Sequence, residues 1–129
     1  MAEYVKENNI RFSLTFGPVL LEDGVNVAPG YYQLGEYTGH YSRAALCQQE
    51  KLHYIVVTAN MEEAHPRTPT VPDMTRILQD MGVQTAYALD GGQTATLIAN
   101  NEIVNSISYG SERKISDIIY FATAVPAEE

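Results

Sequence analysis

At 129 residues, 45% apolar and 19% charged, the chain is long enough for one modest hydrophobic core and too apolar for wholesale disorder. Eight Lys+Arg against 16 Asp+Glu leave a net charge of −8, which opposes non-specific nucleic-acid binding but permits a small anion held by well-placed arginines. The single cysteine, Cys47, excludes an internal disulfide and a thiolate zinc cluster, and no apolar run reaches the roughly 18 residues of a membrane span.

The start, "MAEYVKENNIRF", has no apolar core of the signal-peptide kind. "IRFSLTF" (10–16) alternates loosely and predicts a strand. Gly17-Pro18 and Asp23-Gly24 then bracket a short apolar piece with turn signals. Residues 28–42, "APGYYQLGEYTGHYS", hold four of the nine tyrosines and read as a surface loop, which either shapes a pocket or covers a core edge. "RAALCQQ" and "LHYIVVTA" predict paired strands around a polar turn at Gln49 to Lys51, with Cys47 as a buried, inert thiol.

Residues 60–70 contain two prolines and no period, and read as a loop. Pro72 suits the first turn of a helix and Gly82 its end. Met74, Ile77, Leu78 and Met81 recur at three- and four-residue spacing, predicting a helix from Pro72 to Met81 with these residues on its apolar face. "VQTAYALD" (83–90) follows as a strand. "ATLIANNEIVN" reads as a hairpin around Asn100-Asn101, residues that tolerate positive φ. "SISYGSERKI" reads as a loop and "SDIIYFATAV" as a last apolar strand. The expectation is an α+β domain: a mixed, mainly antiparallel sheet of about six strands packed with one principal helix.

The chemistry concentrates in "LDGGQTAT". Two glycines after a strand allow a sharp turn and close approach of backbone to a ligand, with Asp90 projecting from the strand end and threonine hydroxyls beside it. An ordinary Asp-Gly turn accounts for the same residues. Among the histidines, His40 lies just before the Arg43 strand and is a candidate lining residue, whereas His53 falls in a strand pattern. His65 beside Glu62 and Glu63 lacks a metal-ligand spacing, so neither a metal nor a cofactor is expected.

In context, "LDGGQTATLIANNEIVN" resembles the "LDGGGSATMVVNGKVVN" type of signature of the phosphodiester glycosidase family. The resemblance continues in consistent order over residues 14 to 123. "LTFGPVLLEDG" resembles the family's "FGPVLVKDG", and "YSRAALCQ" its "PRTAIG" strand, which places Arg43 where the family has an arginine. "GSERKISDIIYFA" is similar to the closing segment. Gln93 stands for the family's third glycine and Thr94 for its serine. Thr58-Ala59-Asn60 stands where "DGR" is usual, and an upstream "N-G-G-F-F"-like portion is not represented.

The resemblance implies a hydrolase of glycosyl phosphodiesters, of the kind that removes N-acetylglucosamine from a phosphodiester. The implied catalytic carboxylates are Asp90 and Glu112, with Arg43, Arg113, Gly91, Gly92, Gln93, Thr94 and His40 around the phosphate and ligand. The alternative is a non-catalytic module that retains a sugar-phosphate or nucleotide-like ligand. A single domain forming the C-terminal portion of a larger family domain is expected, with self-association or a complementary segment supplying the missing wall. An extracellular or cell-envelope location is implied if a longer parent has a signal, and a soluble cytoplasmic one otherwise.

Overall fold

A computed structural model describes residues 2–33, 37–60 and 67–122. After a short exposed helix, α1 (Ala2–Glu7), the chain forms β1 (Val19–Glu22) and β2 (Val25–Asn26), then β3 (Arg43–Glu50) and β4 (His53–Ala59). The main helix, α2 (Val71–Asp80), leads into β5 (Thr85–Ala88), and β6 (Ile98–Ala99) and β7 (Glu102–Ile103) follow. The expected α+β class is the observed one. Five strands form one sheet in the order β2-β1-β5-β3-β4, every neighbouring pair antiparallel, and β6-β7 form a separate hairpin.

Local rules explain the connections. Asp23 and Gly24 both have positive φ, 48° and 74°, as the tight two-residue hairpin between β1 and β2 requires. Asn100 and Asn101 do the same between β6 and β7, at 52° and 63°. Around α2, Thr70 and Asp73 form a reciprocal capping box: the Thr70 hydroxyl accepts from the Asp73 amide at 3.3 Å, and the Thr70 amide donates to Asp73 Oδ2 at 3.1 Å. At the other end Gly82, at φ 76°, donates to the Gln79 carbonyl, and Val83 donates back to Leu78. That pair of bonds is a Schellman stop.

Helix α2 covers one face of the sheet. Leu20, Leu21, Ala45, Cys47, Val71, Met74, Leu78, Val83 and Ala86 make the core. The register explains which strand residues belong to it. Ala45 lies opposite Val57 and Ala88, and Cys47 opposite Ile55 and Ala86, so alternate residues of three strands face the helix together.

The helix face is rotated from the expected one. Val71, Met74, Thr75 and Leu78 are buried, whereas Ile77 and Met81 are exposed. Thr75 tolerates burial because its hydroxyl donates to the Val71 carbonyl at 2.9 Å, one turn back.

Two expected strands do not form. Residues 10–16 pair with no strand, and Phe12 is 87% exposed. Residues 116–122 likewise lack pairing, with Ile118, Tyr120 and Phe121 exposed; 123–125 lie outside the described residues. Alternating apolar residues permit a strand, but a strand exists only where another edge supplies hydrogen bonds. The helix α1 was not expected from the sequence, and it buries nothing. Part of the tyrosine-rich loop, 34–36, and the segment 61–66, with His65, Glu62 and Glu63, also lie outside the described residues.

Two tests follow from the helix and the core. The Asp73 carboxyl is held below its usual value of 3.8, first by the Thr70 hydroxyl and then by the Thr70 amide. A depressed carboxyl stabilises the fold above the unfolded value and loses that contribution as pH falls through the folded one. Asp73→Asn is therefore expected to lower the melting temperature at pH 7, and the two proteins should converge near about pH 2. Burial pushes the Cys47 thiol up to about 11. In the native protein it should resist iodoacetamide at neutral pH and be labelled only after denaturation, as a mass-spectrometric time course will show.

Candidate active site

The site lies where β3 begins and β5 ends. Because Ala45 faces Ala88 across antiparallel strands, Arg43 and Asp90 come to the same end of neighbouring strands. The Leu89 amide donates to the Ala44 carbonyl at 2.9 Å and extends the pairing to the turn. There the chain crosses very close to Ser42. The Gly92 amide donates to the Ser42 carbonyl at 2.8 Å, and a Cβ placed on Gly91 would lie 2.4 Å from that oxygen. Gly91 is thus required by contact and Gly92, at φ 64°, by conformation.

Past the glycines the backbone makes one 3-10 turn, Gly92–Thr94. Thr94 closes it, its hydroxyl donating to the Gly91 carbonyl at 2.8 Å. The Gly91 amide donates to Asp90 Oδ1 at 2.8 Å, which orients the carboxylate, and Arg113 Nη2 donates to Asp90 Oδ2 in an ion pair. The Asp90 side chain is about one-third exposed.

Arg43 is held by backbone. Its Nε donates to the Pro69 carbonyl at 3.2 Å and Nη2 to the Gly39 carbonyl at 2.5 Å, and its guanidinium lies 5.9 Å from the Tyr41 ring centroid. These contacts fix the orientation of the guanidinium.

Arg43, Asp90, Gly91 and Gly92 line a cleft of about 290 Å³, floored by Leu20, Val71, Met74 and Ala88 and walled by Phe16, Tyr32, Tyr37 and Tyr41. The tyrosine-rich loop therefore shapes a pocket, one of the two readings its composition allowed. Burial pushes the Tyr37 phenol above its ordinary value, so its hydroxyl stays protonated at neutral pH. Phe16, at φ 112°, holds a backbone conformation costly for a bulky residue, immediately before Gly17.

The other site residues anticipated from sequence sit around this cleft without lining it. His40 is exposed and donates through Nδ1 to the Thr68 carbonyl at 2.6 Å. Gln93 donates to Ser111, and Glu112 is exposed beside Arg113. Two contributors had no sequence signal. Ser42 and Ser108, both buried, share a hydrogen bond at 2.5 Å across 66 positions, and no spacing rule reaches that far. The Thr68 hydroxyl is buried with no hydrogen-bond partner among the described residues. No group of three His, Cys, Asp or Glu residues able to hold a metal occurs among the described residues, and no helix among them is long and apolar enough to cross a membrane.

The sequence profile of phosphodiester glycosidases matches residues 2–122. The chain belongs to the phosphodiester glycosidase family. No curated protein matches it. A crystal structure of a hypothetical protein from Synechocystis is similar in fold, with a TM-score of 0.60 and 21% identity over 74% of this chain. The chain spans 18% of that protein's length.

The crossing of Gly91 over Ser42 makes a contrast measurable. Gly91→Ala should cost about 1–3 kcal/mol, because backbone must move from backbone. Gly92→Ala meets open space and strains only its φ, so it should cost about 1 kcal/mol. Urea denaturation of both variants checks the order.

Proposed function

We propose that this phosphodiester glycosidase-family domain hydrolyses a glycosyl phosphodiester, with an N-acetylglucosamine-1-phosphodiester as the substrate type. The observation that supports it most directly is a carboxylate, Asp90, presented at an aromatic-walled cleft between two arginines, one in the cleft and one paired to the carboxylate. Arg43 and Arg113 receive the phosphate, whose oxygens match the planar fork of a guanidinium. Tyr32, Tyr37 and Tyr41 give the sugar faces to pack on and hydroxyls to bond with.

The bond to be broken joins the anomeric carbon to a phosphate oxygen. Its electron pair leaves with the phosphate, and the arginines stabilise that charge. Water supplies the new bond to carbon and loses a proton to Asp90 once Arg113 has moved its contacts to the phosphate. Glu112, adjacent to Arg113 in the chain, is the second carboxylate and protonates the leaving oxygen. Gln93, Thr94 and His40 support the walls of the site.

Turnover of a chromogenic N-acetylglucosaminyl phosphodiester tests this reading. Asp90→Asn should lower kcat by about 100-fold or more, and Glu112→Gln by a smaller factor. Arg43→Met should raise KM by about 10-fold through the lost phosphate contact. Undiminished turnover in Asp90→Asn would overturn the assignment. Binding of the diester by the wild type without turnover would make the domain a sugar-phosphate-binding module.

A further inference from the structure

One polar contact beside the site is unexplained by ligand binding. Gln93 projects from the 3-10 turn that follows the two glycines, and it does not line the cleft. Its Nε2 instead donates to the Ser111 carbonyl at 2.9 Å and lies 3.2 Å from the Ser111 hydroxyl. The base from which it projects is fixed, because Gly92 is bonded to Ser42 and Thr94 to Gly91.

What Gln93 reaches is not fixed by secondary structure of its own. From Ser111 to Lys114 the chain is exposed and forms neither helix nor strand. Just before it, Tyr109 and Gly110 both have positive φ, 59° and 69°. This strap touches the site at three points. Ser108 bonds the buried Ser42 hydroxyl, Ser111 accepts from Gln93, and Arg113 pairs with Asp90. The outer contact is the functional one and the inner one is the anchor. Four residues lie between them: a 3-10 turn closed by the Gly110 amide on the Ile107 carbonyl holds the first two, and the Gln93 bond at Ser111 is the contact on the stretch from there to Arg113. Because Gln93 donates to a main-chain carbonyl two residues before Arg113, it sets where the guanidinium can reach.

We propose that Gln93 is a positioning residue whose amide clamps the strap at Ser111 and so delivers Arg113 to Asp90. The proposal rests on the reading of Asp90 and Arg113 as groups that act on the ligand. It adds a role for a side chain that touches no reacting atom. A glycine at this position offers no donor, so the clamp is a property of this chain's own residue.

The test separates the clamp from the chemistry. Trypsin cleaves after arginine, and cleavage of a folded chain follows the population of the locally open form. Wild type, Gln93→Glu and Gln93→Met are compared as full chains, by the rate of cutting after Arg113 relative to cutting after Arg76 in α2. Both variants keep the length of the side chain but cannot donate to the Ser111 carbonyl. The expected result is an increase of about fivefold in that ratio for both, the effect of losing one hydrogen bond. An unchanged ratio in Gln93→Met would show that the residue only fills space, and would overturn the clamp.

In the same proteins, kcat for the chromogenic diester should fall about 10-fold while KM changes by less than about threefold, the signature of misplacement rather than lost binding. Faster cutting with unchanged kcat would overturn the positioning role. If the wild type has no turnover at all, the hydrolase reading falls, and the cleavage ratio alone upholds or overturns the clamp.

Discussion

The structure of the site depends on one close contact, the passage of Gly91 across the carbonyl of Ser42. A side chain at that point would collide at 2.4 Å with main-chain oxygen, which cannot rotate away. With hydrogen alone on Gly91, the next amide bonds to the same oxygen at 2.8 Å and locks the turn to the start of β3. Asp90 and Arg43 are held together by that lock, since each sits one residue from the crossing. Ser42 then serves both of its sides: its carbonyl holds the glycine turn and its hydroxyl holds Ser108, the root of the strap that carries Arg113. One residue thus ties together three segments that are distant in sequence.

The same geometry resolves a tension in the charge. A chain with a net charge of −8 repels anions at long range, and ionic screening leaves only local interactions to bind one. The phosphate contacts proposed for the two arginines are of this local kind. Arg43 is oriented by the carbonyls of Gly39 and Pro69, which fix its guanidinium at the start of β3. Arg113 is half exposed and pairs with a carboxylate, so its side chain can exchange one anionic partner for another. In the proposed function the held cation orients the phosphate, and the exposed one, by changing partner, uncovers Asp90.

How much of this was legible in the sequence varied with the range of the interaction. The helix bounds could be read because Pro72 and Gly82 are local start and stop signals, and the β6-β7 turn because Asn100 and Asn101 accept positive φ locally. The face of α2 was misjudged by part of a turn. Ile77 and Met81 fit the period as well as Val71 and Thr75 do, and only the narrow sheet beneath decides which residues are covered. Residues 10–16 and 116–122 have the composition of strands without an edge to join. Asp90 and the paired glycines could be singled out because strand ends and glycine pairs are local signals, and Arg43 through the family resemblance of its strand. The Ser42–Ser108 bond could not, since nothing near either serine announces the other.

Gln93 shows where such local reading stops. By position it belongs to the glycine turn, and a ligand contact is the simplest role for a polar residue there. Its amide turns instead toward Ser111 on the strap passing beside it, while Gly92 is bonded to Ser42 and Thr94 to Gly91. A bulky amide where the family signature has glycine would obstruct a ligand only if it entered the cleft. Directed outward, it leaves the cleft to Arg43 and Asp90 and spends its donor on holding the strap. The departure at Gln93 is therefore compatible with a working site because it changes how the arginine is held and leaves the cleft surface intact.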